Sequence, residues 1–417
     1  MLKTLRLDLT GLISAFRGQD PIFYLGCCYI VLNYLRPQLI YPYLNILPWT
    51  QIVILVGLSL MFLRGQLKFN TTQFMVFLFA LLATLSALNS QYPYISGRSI
   101  TTPMIFAVEV LFLSNCSKSS KQTMLLFSLL FVCLFKMSFF GARIWATRGF
   151  GFTSWGIQGP PGFFQNSGEY SLLMAITAVM SIPFILSLAI KRKYFWLLPI
   201  TASMTVMGAS SRGGQLALVV GALYLLIAYK KLKFKNILYV VALSWLIMVV
   251  MPEEQKVRFS TMGKDDTSAS RFQYWKAGFE MARDFPLLGV GLNAFPEYYH
   301  NHYKVLDGSY LASRKEVSHN SLVQVASTLG FPSLFLYLIL HIRIFFTGIL
   351  RRRDPFMFDK VTIHYIRALR AAILTYLIGS MFMSVAFYPY IYLLLGLSGV
   401  VFTSANNTIK GTYEFSK

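Results

Sequence analysis

Apolar runs of membrane-crossing length recur along the whole chain, and no water-soluble fold can bury them all. A helix needs about 20 apolar residues to cross the hydrocarbon core. Such runs fall at about 22–35, 49–63, 70–88, 99–114, 122–140, 169–190, 195–209, 213–229, 236–251, 320–349, 363–387 and 389–404. In lipid the backbone must satisfy its own hydrogen bonds, so the runs are expected to be helices. The composition agrees: 55% of residues are hydrophobic and 13% are charged, against about 25% charged in a soluble domain. Mean hydropathy is +0.55. A soluble enzyme, a disordered chain and a disulfide-stapled secreted domain are excluded together. The expected class is an all-α integral membrane protein of about twelve transmembrane helices.

The formal charge of +22 arises from 38 Lys and Arg against 16 Asp and Glu. In a membrane protein such an excess points to topology and anionic lipid headgroups, not to nucleic acid. The basic clusters are Lys3/Arg6/Arg17, Arg64/Lys68, Lys118/Lys121, Lys191/Arg192/Lys193, Lys230/Lys231/Lys233/Lys235, Arg351/Arg352/Arg353 and Lys410/Lys417. Two spans separate each cluster from the next, so all seven fit on one face, which the positive-inside rule makes the cytoplasm. Both termini are then cytoplasmic. The first apolar run lacks a following small-residue cleavage site and is read as a retained helix. Cys27, Cys28, Cys116 and Cys133 sit at or in apolar runs and support no disulfide framework.

Two long loops fall on the opposite face, 141–168 and 252–319. They divide the chain into helices 1–9 over residues 1–251, a cap loop over 252–319, and helices 10–12 with a tail over 320–417. Between 252 and 318 there are nine basic and nine acidic residues, the composition of a small folded cap and not of a connector. Within it, Ser268 or Ser270 is placed to cap a helix running to about Asp284. Phe272, Trp275, Phe279 and Ala282 recur at helical spacing as one face, suited to lying on the bilayer surface and holding Arg271 over a membrane cavity.

Three groups on this outer face carry chemistry. Ser210-Ser211-Arg212-Gly213-Gly214 opens a helix whose free N–H groups, glycines and guanidinium suit a phosphate. The competing reading is an interfacial arginine with glycines for helix packing. Ser318-His319-Asn320-Ser321 opens another helix. A histidine there meets the positive end of the helix dipole and is expected to be neutral, able to act as a base, unless it merely belongs to a polar turn. Glu169 stands at a third outer helix start, and Arg143 and Arg148 are outer-face basics that either add to an anion site or touch lipid. Glu109 is an intramembrane carboxylate, a functional candidate by default. His300-Asn301-His302 with Glu297 is a weak metal signal, with no CxxC or HExxH to support it. Gly289-Val290-Gly291 completes no nucleotide-binding motif, and His341 and His364 read as structural.

The order of these pieces resembles the superfamily of O-antigen ligases, O-antigen polymerases and protein O-oligosaccharyltransferases. The similar segments are Gly162-Phe163-Phe164-Gln165-Asn166, Ser211-Arg212-Gly213-Gly214, Arg271-Phe272-Gln273-Tyr274-Trp275, Asp284-Phe285-Pro286-Leu287-Leu288-Gly289-Val290-Gly291 and His319-Asn320-Ser321, with Leu329-Gly330 following. They cover about residues 160–340. The first segment lacks the proline expected near Asn166. The resemblance implies a glycosyltransferase of the bacterial inner membrane with a periplasmic active site and no cofactor or metal. Its donor would be a glycan on undecaprenyl pyrophosphate and its acceptor a sugar hydroxyl of lipid A-core. Arg212 and Arg271 would hold the pyrophosphate and His319 would be the base, with Asn320, Glu169, Arg143 and Arg148 in support. About thirteen residues follow the last span, which favours a ligase over a protein O-oligosaccharyltransferase; a polymerase shares the same features. A twelve-helix transporter or flippase is the rival from another class, but its sites belong at the midplane, whereas the polar residues here gather outside.

Overall fold

A computed structural model describes residues 14–153, 156–188, 193–230, 266–303, 315–347 and 360–414. The expected ninth span at 236–251, parts of the cap, and the basic groups at 3–6, 191–192, 231–235 and 351–353 lie outside the described residues. Within them, every regular element is helical. The helices are α1 (Pro21–Ile30), α2 (Trp49–Leu63), α3 (Thr71–Leu88), α4 (Thr102–Asn115), α5 (Ser120–Thr147), α6 (Ser167–Ser187), α7 (Leu197–Gly208), α8 (Arg212–Ala228), α9 (Asp266–Asp284), α10 (Phe295–His302), α11 (Ser321–Phe345), α12 (Lys360–Ser380) and α13 (Pro389–Glu414), with short turns between.

Among the described residues, seven helical segments are long and apolar enough to cross a bilayer: Pro42–Leu63, Thr71–Leu88, Pro93–Asn115, Ser120–Thr147, Ser167–Ser187, Ser321–Phe345 and Lys360–Ser380. The chain is a multi-pass membrane protein. Twelve full crossings were the expectation; of the other described apolar helices, α7 and α8 are shorter, with 12 and 17 residues, while α13 runs for 26. At 1.5 Å per residue, the 12 residues of α7 reach only about 18 Å. Two of the basic clusters do meet: the Asp20 carboxylate bridges Arg64 and Lys118, each at 3.0 Å.

Helix α6 is the most enclosed, buried without interruption from Tyr170 to Ser181. α8 and α12 pack along it. Gly214 of α8 lies against Ser171 of α6, so closely that a Cβ would overlap the hydroxyl. Small residues at such crossings substitute backbone approach for a hydrophobic driving force that lipid does not supply.

The expected tenth span is broken. Gly330 sits at φ 81°, ψ 175° in the middle of α11, a region open essentially to glycine alone. Pro332 follows and has no N–H to give Thr328, its normal partner four residues back. The loop after α9 repairs the break. Val290 N donates to Ser327 O at 2.9 Å, Gly291 N donates to Thr328 O at 3.2 Å, and Phe331 N turns to Pro286 O at 2.8 Å. Ser86 Oγ of α3 also donates to Thr328 O at 2.7 Å. Gly289, at φ 64°, packs on the Thr328–Leu329 backbone with no room for a Cβ. The Pro286–Gly291 segment and Leu329-Gly330 are therefore the two halves of one joint.

The run expected as helix to residue 387 stops at Ser380. Residues 381–388 form an irregular loop whose backbone is satisfied by α11 side chains. Ser321 Oγ donates to Met383 O and accepts from Val385 N, at 2.8 and 2.9 Å, and Gln324 Oε1 accepts from Ala386 N at 3.3 Å. Likewise α5 continues to Thr147, so Arg143 is helical and the following loop begins later than expected.

The cap helix α9 starts at Asp266, so neither Ser268 nor Ser270 caps it; both lie inside its first turns. Its buried face is Tyr274, Ala277, Met281 and Ala282, turned towards α11 and joined by Phe295 and Tyr299 of α10. Phe272 and Phe279 of the expected face remain 60% and 64% exposed. The expected face is therefore split: Phe272 and Phe279 point outwards, while Trp275 and Ala282 join the packed side beside Tyr274 and Met281.

The joint predicts a specific stability pattern. Gly330→Ala and Gly289→Ala should each lower the thermal unfolding midpoint in detergent, because positive-φ strain of roughly 1–3 kcal/mol adds to displacement of the facing backbone. Gly97→Ala, with open space at its Cβ position, should leave the midpoint unchanged. Equal midpoints for all three would show that the joint is not a stabilising contact.

Candidate active site

Three helices start at one place. Asn166 caps α6 by accepting from Gly168 N at 2.8 Å. Ser211 caps α8 through Gly214 N at 3.4 Å. Asn320 caps α11 by accepting from Leu322 N and Val323 N at 2.9 and 3.2 Å. Short polar side chains at the cap positions are what lets each helix begin in a defined place. The three starts open on a cavity of about 390 Å³, within the size range of small-molecule sites. Its wall is Asn166 to Glu169 from α6, Ser210 to Gly213 from α8, Glu316, Val317 and His319 before α11, Phe382 to Ser384 from the loop, and Arg271 from the cap.

His319 is held in a left-handed conformation, φ 50°, and Ser210 in another, φ 54°. Each immediately precedes a cap residue. Non-glycine residues pay for this conformation, and a surrounding network has to hold them there. Around His319 the network is visible. Ser318 Oγ donates to Asn320 O at 3.0 Å and meets Ser384 Oγ at 3.1 Å. Trp275 Nε1 of the cap donates to Ser318 O at 3.0 Å. Arg271 lies one turn before Trp275 on α9, so the indole bond also carries the guanidinium to the cavity. The Tyr274 ring centre is 6.3 Å from that of His319.

His319 Nε2 stands 3.6 Å from Glu316 Oε2. Burial pushes the imidazole below its ordinary pKa and the Arg271 charge adds to the effect, while Glu316 opposes both. The net direction is downward, so the ring is neutral at pH 7. Glu169 lines the cavity too, and its Oε2 is buried with no hydrogen-bond partner among the described residues.

Of the residues singled out in the sequence, Arg212, Arg271, His319 and Glu169 are brought together. Asn320 is adjacent but spends its side chain on the cap. Arg143 and Arg148 are exposed at the end of α5 and line neither this cavity nor the cleft beside it. Glu109 lies elsewhere and accepts from Tyr29 Oη at 3.1 Å. Glu297 pairs with Lys315 at 2.7 Å, and His302 stacks on Tyr298 at 4.1 Å. The glycines after Arg212 serve packing, Gly213 against Phe382 and Gly214 against Ser171, and that close approach is what sets the α6 and α8 starts side by side. Sequence reading missed Glu316, whose position three residues before His319 was the available signal. It also missed Phe382 to Ser384, hidden inside an apolar run.

Residues 197–338 match the family model described as O-Antigen ligase. The matched stretch, about a third of the chain, holds Arg212, Arg271, Glu316 and His319. The match agrees, over this stretch, with the resemblance read from the sequence. A search of the curated proteins returns no match.

The electrostatics of His319 are open to direct titration. With ¹³C-labelled histidine, and His319 assigned by its loss in His319→Ala, the imidazole should titrate below 6.5. Glu316→Gln removes a raising influence and should move the midpoint lower. Arg271→Ala removes a lowering one and should move it higher. Shifts of the same sign in both variants would contradict the charge arrangement.

Proposed function

We propose that this protein is an O-antigen ligase. It moves a glycan from undecaprenyl pyrophosphate to a sugar hydroxyl of lipid A-core, on the periplasmic face of a bacterial inner membrane. The observation that carries the reading is the single cavity in which Arg212, Arg271 and His319 meet at three helix starts, in a chain whose residues 197–338 match the O-Antigen ligase family model.

The two guanidiniums grip the pyrophosphate with forked hydrogen bonds, and the helix N-termini add partial positive charge. Neutral His319 takes the proton from the acceptor hydroxyl as its oxygen attacks the anomeric carbon. The glycosidic carbon–oxygen bond to the pyrophosphate breaks, and the electron pair leaves on the phosphate oxygen. The arginines stabilise the charge that grows there, so no general acid is needed. Glu316 steadies the imidazolium formed in the same step. One displacement without a covalent intermediate inverts the anomeric configuration. The scheme is metal-independent, because the arginines supply the positive charge a metal would bring.

Transfer assays with purified protein, lipid-linked glycan and lipid A-core test the assignment. His319→Ala should lower the rate about 10²–10⁴-fold while the protein still binds the lipid-linked donor. Arg212→Lys and Arg271→Lys should be impaired in donor use, less than the alanine variants, because lysine restores charge without the fork. Arg143→Ala and Arg148→Ala should behave as wild type. Normal rates and donor affinity in both Arg→Ala variants would remove the pyrophosphate site from this cavity.

Orientation is tested separately. Reporter fusions after residues 66, 119 and 232 should read cytoplasm, and one near 265 should read periplasm. A cytoplasmic signal at 265 would place the cavity on the wrong side for this reaction.

A further inference from the structure

Beside the cavity lies a second cleft of about 340 Å³, which shares Asn166, Ser167 and Glu169 with it. The remaining lining is Gln158, Gly162, Phe163, Gln165 and Tyr388. This composition differs from that of the first cavity. Among the described residues, no arginine or lysine lines it. Two aromatic rings form a corner, Phe163 and Tyr388, with centres 5.2 Å apart and planes at 63°, and Phe163 is 40% exposed. Two primary amides face the same space.

The corner is held rigidly. The Arg36 guanidinium lies against Gly162, which has φ 96° and leaves no room for a Cβ, and Arg36 Nη1 donates to Pro161 O at 2.5 Å. Tyr390 Oη donates to the backbone carbonyl of Glu169 at 2.6 Å, and the Tyr388 and Tyr390 rings stack at 6.1 Å. Burial, with the Glu169 charge adding, pushes the Tyr388 hydroxyl up to about 12, so it remains a neutral donor. At the boundary of the two spaces stands the carboxylate of Glu169, with a buried Oε2 that no group among the described residues satisfies. A buried acceptor left in that state is costly unless something donates to it.

We propose that this cleft is a sugar-ring subsite, in which Phe163 and Tyr388 take the apolar face of a pyranose and Glu169 accepts from a ring hydroxyl. Gln158 and Gln165 then serve neighbouring hydroxyls, since each amide both donates and accepts. The inference rests on the reading of the first cavity as a pyrophosphate site, because it is that placement which sets a sugar next door. The ring is either that of the donor glycan or that of the acceptor; the chemistry that recognises it is the same.

Binding to full-length protein in nanodiscs separates the two and tests the subsite. The probes are undecaprenyl pyrophosphate without glycan, the same lipid carrying glycan, and free acceptor core oligosaccharide. The variants are Glu169→Leu, Phe163→Leu and Gln158→Ala. Glu169→Leu removes an unpartnered buried oxygen and should unfold no earlier than wild type, so its binding defect reads as a lost contact. Phe163→Leu and Gln158→Ala, which lie outside the first cavity, should bind undecaprenyl pyrophosphate as wild type does. For Glu169→Leu and Phe163→Leu, affinity for one of the two glycan probes should fall about tenfold or more. A loss confined to the lipid-linked glycan assigns the subsite to the donor, and a loss confined to the core oligosaccharide assigns it to the acceptor. Unchanged affinity for both glycans in all three variants overturns the subsite. Failure of the first-cavity reading looks different: Arg212→Ala and Arg271→Ala would leave undecaprenyl pyrophosphate binding intact.

Discussion

Two backbone carbonyls inside α11, those of Ser327 and Thr328, have no helical donor, and the position of the cap follows from how they are satisfied. Gly330 leaves helical geometry and Pro332 lacks an N–H, so a bilayer-depth helix carries a gap that water cannot fill. The N–H groups of Val290 and Gly291 fill it. That exchange fixes the end of α9, and the rest of α9 then runs back across the start of α11. Trp275 reaches Ser318 only because the joint is in register. A slip of one residue along α9 moves Arg271 by about 1.5 Å, enough to part a guanidinium from a phosphate held at hydrogen-bond distance.

The cavity mixes charges that would cancel in a simpler anion site. Two arginines and three helix starts draw an anion, yet Glu316 and Glu169 line the same space. On the proposed reading the signs are divided by task. The arginines and N–H groups take the leaving phosphate, Glu316 acts on the imidazole, and Glu169 faces hydroxyls at the boundary with the cleft. Without Glu316, burial and Arg271 would together leave His319 a weak base; with it the ring stays neutral while an imidazolium gains a nearby counter-charge.

What the sequence made legible was whatever follows from local rules. Apolar runs announced the helices, and the segments around Glu169, Ser211-Arg212-Gly213 and His319-Asn320 announced the three helix starts. The misreadings share one cause: tertiary partners overrode the local pattern. Residues 381–387 are as apolar as a helix needs, but Ser321 and Gln324 offer their backbone other bonds. α9 has its aromatics at helical spacing, yet Phe272 and Phe279 stay exposed, and the packed side is Tyr274, Ala277 and Met281, with Gly278 close against Val323 of α11. Arg143 and Arg148 shared the outer face with the site but are carried away from it by the extra turns of α5. Gly289 and Gly330 were visible as letters; that they form one joint depends on two segments 41 positions apart meeting in space.

The left-handed turn at His319 ties the cap to the imidazole. An L-residue in this region costs of order 1–2 kcal/mol, and a lone polar turn would relax. Here Ser318 is held from the loop by Ser384 and from the cap by Trp275, while Asn320 is committed to two N–H groups of α11. With both neighbours fixed, His319 has no freedom to return to an extended conformation without breaking one of these bonds. The helix that delivers Arg271 is therefore the same element that keeps the imidazole in its strained pose. An arrangement of this kind makes the Arg271 guanidinium and the His319 imidazole a single unit: whatever displaces α9 from the start of α11 removes a guanidinium from the cavity and releases the turn that aims the histidine, both at once.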